Sequence, residues 1–135
     1  MRRLAVLVVA GAMLVSLMGV AQATGKTYIR DCVSVKYRPR AIYFACDGAY
    51  YVKKLHWRFW RLRKAVGHGV YHINDCKPDC ARGTFHTRRG KLILRYRLWC
   101  KSVGKYLFKR ATAIYNRPYQ GKTTERFRAS FCPPG

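Results

Sequence analysis

Six cysteines, Cys32, Cys46, Cys76, Cys80, Cys100 and Cys132, constrain this chain more than any other feature. An even number of cysteines in so short a stretch reads as three disulfides, provided that the chain reaches an oxidising compartment. The N-terminus supplies that condition. Arg2 and Arg3 precede an apolar run from Leu4 to about Val20, and Ala21-Gln22-Ala23 has the small-x-small pattern of a signal-peptidase site. Residues 1–23 are therefore read as a signal peptide, and residues 24–135 as a single secreted β-rich domain of about 110 residues. The apolar run is short for a membrane span and no stop-transfer flank follows it, so no stable span is expected after cleavage. A domain of this size builds only a modest core. Each cross-link then contributes about 2–4 kcal/mol against a net stability of about 5–15 kcal/mol.

Six cysteines allow fifteen connectivities. Short loops favour Cys32–Cys46, Cys76–Cys80 and Cys100–Cys132. Cys76 and Cys80 have the spacing of half a zinc site, but no second closely spaced Cys/His pair completes it, so neither metal nor cofactor is expected.

The chain carries 28 Lys and Arg against 5 Asp and Glu, a formal charge of +23, of which Arg2 and Arg3 supply two. Solubility needs far less. Such an excess predicts attraction to an anionic polymer or surface, whether a cell-wall polymer, anionic lipid or extracellular nucleic acid, with strong dependence on salt.

The hydrophobic pattern has a period of two. From Leu55 to Phe59 the chain alternates, with Leu55, Trp57 and Phe59 on one face and Lys54, His56 and Arg58 on the other. Leu92, Leu94, Tyr96 and Leu98 alternate with Lys91, Arg95 and Arg97 in the clearest strand, Lys91 to Trp99, and Tyr106 to Tyr115 reads as its hairpin partner. Shorter strands are expected over 41–46, 70–73, 84–87 and 127–131, with Gly67, Gly69 and Gly90 as interruptions, 24–31 as a polar lead-in and 118–126 as a loop. Strand after strand without a long helix predicts an all-β fold, a small disulfide-linked sandwich or barrel of six to eight strands.

Residues 38–86 carry a spaced motif: Arg38-Pro39, Ile42, Ala45-Cys46-Asp47-Gly48, Leu55, Trp57, Trp60, Ala65, Gly67, Gly69, Tyr71, Asn74-Asp75-Cys76, Pro78, Cys80-Ala81 and Gly83-Thr84-Phe85. It resembles a family of small secreted actinobacterial proteins of uncharacterised function. The resemblance implies export and a similar fold, and transfers no catalytic residue. Two features depart from the family pattern. Lys53, Lys54, Arg58, Arg61 and Arg63 surround the tryptophans where more neutral residues are expected, and Cys100 with Cys132 looks like an additional pair.

Candidate chemistry is sparse. His56 and His72 with Arg58 nearby would make a ribonuclease-like acid, base and cation set if strand pairing joined them. Asp47, Asp75 and Asp79 sit in turn contexts, where Asp bonds its own backbone, rather than as paired catalytic carboxylates. The stronger signal is cations interleaved with aromatics, at Lys53, Lys54, Arg58, Trp60, Arg61, Arg95 and Arg97. Trp60 shares parity with the cationic face and is the aromatic expected to meet a ligand. The sequence thus points to a secreted, non-catalytic protein that binds an anionic polymer or envelope surface. The alternatives are an interaction module or inhibitor that inserts the loop 74–80 into a secreted protein partner, and a small secreted ribonuclease-like hydrolase.

Overall fold

A computed structural model describes residues 25–135; the signal-peptide segment 1–23 lies outside the described residues. These form eight strands and no helix: β1 (Thr27–Arg30), β2 (Val35–Lys36), β3 (Ile42–Tyr43), β4 (Tyr50–Trp60), β5 (Lys64–Asn74), β6 (Phe85–Cys100), β7 (Lys105–Tyr119) and β8 (Lys122–Arg128). The all-β expectation holds. Its form is one sheet, ordered β2-β1-β7-β6-β5-β4-β3 with β8 also on β7, curled into a half-barrel. The antiparallel hairpins β4–β5, β5–β6 and β6–β7 make up its body. Short β1 runs parallel to the start of β7, and β8 pairs further along β7 through residues 110–114.

Alternation puts one side chain in two inward. Val52 and Leu55 of β4, Ala65, Tyr71 and Ile73 of β5, Leu92 and Leu94 of β6, and Phe108, Ala111, Ala113 and Tyr115 of β7 fill one continuous core. Each large side chain buried there stabilises the fold by about 1.5–3 kcal/mol. The alanines leave space that large rings occupy. Trp57 and Trp60 meet edge-to-face at 4.5 Å, and Trp60 meets Phe108 at 5.3 Å.

Glycines that read as breaks in the sequence lie inside the long strands. A Cβ on Gly67 would sit 2.8 Å from the Trp57 ring, and one on Gly90 would sit 2.5 Å from the Ile114 carbonyl oxygen. They mark close approach rather than turns. As a result 64–74 and 85–100 are each one continuous strand. The lead-in contains β1, and the segment expected as a loop contains most of β8.

The disulfides join Cys32 to Cys46, Cys76 to Cys80 and Cys100 to Cys132. The first secures the β1–β2 turn, where Asp31 organises the backbone. Its buried carboxylate accepts from the amides of Val33, Ser34 and Tyr43 at 2.9, 3.0 and 3.1 Å and from Lys36 Nζ at 2.7 Å. Burial pushes its pKa up, but Lys36 and the three amides outweigh that and hold it below the usual carboxylate value. Among the described residues no helix is long and apolar enough to cross a membrane. Together with three disulfides, this is compatible with an extracellular protein.

Candidate polyanion-binding face

The side chains that alternate outward form cross-strand rows. Lys53 of β4 lies opposite Val70 of β5, which lies opposite Arg89 of β6. The next row is His56, His68, Lys91, Ile114 and Thr124 across β4, β5, β6, β7 and β8. Then follow Phe59, Val66, Ile93, Thr112 and Arg126. The last row is Lys64, Arg95, Arg110 and Arg128, four cations side by side on β5, β6, β7 and β8. All four are exposed. Adjacent strands are about 4.8 Å apart, so this is a dense line of positive charge.

No carboxylate neutralises it. Asp31 is enclosed in its turn. Asp47 accepts from the Ala49 amide at 2.9 Å. Asp75 accepts from the amides of Thr84 and Lys77 and meets His86 Nε2 at 3.2 Å. Those partners, the Thr84 amide first, lower its pKa. Asp79 pairs with Arg82, which lowers its pKa. Glu125 turns to the opposite face of β8 and accepts from Tyr115 Oη at 2.9 Å, while Tyr115 Oη lies 2.9 Å from Tyr50 Oη. Burial first, and then Tyr115 and nearby Glu125, push the Tyr50 hydroxyl far above its ordinary range. The turn roles expected for Asp47, Asp75 and Asp79 are the ones observed.

Two grooves run along the outer face. One, of about 700 Å³, is lined by Lys54, His56, His68, Arg89, Lys91 and Asn116 among others. The other, of about 950 Å³, is lined by Arg95, Tyr96, Arg97, Lys109, Arg110 and Arg126 among others. Beside the first, His72 stacks on Tyr51 with ring centroids 4.7 Å apart. Partial burial, and then Lys53 and Lys54, lower its pKa.

The sequence-predicted site residues separate into two groups. Lys53, Lys54, Arg58 and Arg95 are exposed. Arg61 is exposed on the β4–β5 turn, its guanidinium 5.1 Å from the Phe59 ring centroid. Trp60 and Arg97 are placed otherwise. β4 has irregularities between Lys53 and His56 and between Trp57 and Phe59. The second consumes Arg58 and reverses the parity after it. Phe59 turns outward, and Trp60 turns inward to donate from Nε1 to the Thr27 carbonyl at 2.8 Å. Trp60 is a core residue, not an exposed stacking surface. Arg97 lies opposite Phe108 and stacks on Tyr106 at 3.6 Å. Its Nε and Nη2 are buried without a hydrogen-bond partner.

The histidines also differ from the sequence expectation. His56 lies opposite His68, whereas His72 lies opposite Tyr51 and Thr87. The structure therefore does not join His56 to His72. Sequence reasoning missed His68, Arg89, Arg126 and Arg128 as members of this face. Their type was visible, but their alignment depends on register across five strands. Among the described residues no three His, Cys, Asp or Glu side chains are grouped to hold a metal ion. Comparison with protein-family models, curated proteins and solved structures finds no match.

Proposed function

We propose that this chain is an exported, non-catalytic protein that binds anionic polymers or envelope surfaces through the outer face of its half-barrel sheet. The observation that carries this reading is the Lys64–Arg95–Arg110–Arg128 row on a face without a carboxylate. Like charges placed directly opposite one another destabilise a sheet, so a row of four has a cost that folding alone does not require. An anionic ligand lying across the row offsets it. The Cys100–Cys132 disulfide ties the end of β6 to the segment that follows β8.

The test is binding of the oxidised chain lacking residues 1–23 to single-stranded DNA, phosphatidylglycerol vesicles and isolated cell wall at low salt. The reading expects at least one tight interaction that collapses by a few tenths molar salt, as counterion release requires. Weak binding to all three contradicts it. That outcome favours a protein partner engaged through the loop 74–80, which is pinned by Cys76–Cys80 and by the Asn74 Nδ2 bond to the Cys80 carbonyl at 2.8 Å.

A further inference from the structure

Within the strands, only Lys54 and Tyr96 among the non-glycine residues have positive φ. Tyr96, at φ 57°, is a bulky residue in a conformation that L side chains avoid, at a cost of about 1–3 kcal/mol. The pairing of β6 with β7 passes from Arg95–Arg110 to Arg97–Phe108 without a bond between Tyr96 and Lys109. The consequence is that the Tyr96 ring is 61 % exposed in the middle of a strand.

That ring stands between two depressions lined by cations. On one side is the groove with Arg95, Lys109, Arg110 and Arg126. On the other is a pocket of about 390 Å³ lined by Arg63, Lys64, Arg95, Tyr96 and Arg97. Arg97 borders both, and its buried Nε and Nη2 have no acceptor. The guanidinium lies over the Tyr106 ring, 3.6 Å from its centroid, which holds the cation in place between the two depressions.

We infer that Tyr96, with Arg95, Arg97, Lys109, Arg110 and Arg126, forms a binding site for single-stranded nucleic acid. The cations hold successive phosphates on either side, and one unpaired base stacks on the Tyr96 ring. Base–aromatic stacking combined with a cationic groove is how proteins hold single strands without reading their sequence. An anionic lipid headgroup or a polyphosphate satisfies the cations but offers no flat ring to the tyrosine. This inference rests on the polyanion reading and narrows it to one class of ligand.

The test compares a fluorescent oligothymidylate, an inorganic polyphosphate of similar charge and phosphatidylglycerol vesicles, using the wild type, Tyr96→Ala and Tyr96→Phe at one salt concentration. Thermal melting checks that each variant is folded. Tyr96→Ala is expected to weaken oligothymidylate binding about tenfold or more, the effect of losing one stacked base. Polyphosphate and vesicle binding should change less than twofold, and Tyr96→Phe should retain wild-type affinity for the oligonucleotide. Equal losses on all three ligands, or no loss on the oligonucleotide, overturn the nucleic-acid site while leaving the polyanion reading standing. If wild type binds none of the three, the broader reading fails as well.

Discussion

Glutamine at Lys64, Arg95, Arg110 and Arg128 together is expected to lower affinity for an anionic polymer by about a hundredfold or more near 0.1 M salt. The figure follows from releasing about 0.7–0.9 counterions per phosphate contact over four contacts. The slope of log affinity against log salt should become shallower by about three for the same reason. The fold should not suffer. The four side chains are exposed and lie in one cross-strand row, where each adjacent like-charged pair costs roughly 0.2–1 kcal/mol. Glutamine keeps much of the aliphatic stem that covers the apolar row beside it. The variant should therefore melt at the wild-type temperature or above it. Loss of binding with unchanged or raised stability separates a functional row from a structural one. Unchanged affinity would show that the row is not the contact surface.

Trp60→Ala is expected to do the reverse. The indole donates to the Thr27 carbonyl at 2.8 Å and packs against Trp57 and Phe108. Its removal takes away a hydrogen bond joining β4 to β1 and leaves a large cavity, at a cost of roughly 3–5 kcal/mol. That is a large share of the stability of a domain this size. Chemical denaturation of wild type, Trp60→Ala and Phe59→Ala provides the comparison. The midpoint should fall steeply for Trp60→Ala and much less for Phe59→Ala, whose ring faces outward. Measured where the variant is still folded, polyanion affinity should match wild type. A Trp60→Ala protein of native stability that has lost its ligand would contradict the packing described here.

The exchange of Phe59 and Trp60 shows where sequence pattern stops being informative. Alternation placed Leu55 and Trp57 inward, and both are inward-facing. Beyond Trp57 the parity depended on whether Arg58 occupied an ordinary strand position. A bulge takes up one residue, and a lysine or arginine in a bulge looks the same in sequence as one on a polar face. The irregularity between Lys53 and His56 likewise sets His56 opposite His68 where regular pairing would set it opposite Gly67.

Features carried by composition or local spacing were legible. Cysteine count and loop length led to the three observed disulfides, and the period-two run that starts at Lys91 led to Leu92 and Leu94 in the core of β6 but not to the exposed Tyr96, where the positive φ breaks the alternation. Gly67, Gly69 and Gly90 misled because a glycine that admits a neighbouring side chain or backbone and a glycine that turns the chain have the same signature. β8 was hidden because it is polar from Lys122 to Arg126, with Glu125 turned inward, so hydrophobic alternation is weak there. The cationic excess was evident from the sequence. Its convergence on a face free of carboxylates arises only when β4 to β8 are laid side by side.

The central claim is that the outer face of β5, β6, β7 and β8 is where an anionic polymer lies. The measurement that tests it most directly is the change in backbone amide chemical shifts of the ¹⁵N-labelled protein on titration with an oligothymidylate. The account predicts perturbations concentrated at Lys64, Arg95, Tyr96, Arg110, Arg126 and Arg128 and at their neighbours, diminishing as salt is raised. Shifts confined to the loop 74–80, or spread evenly over all the exposed lysines and arginines, would contradict it.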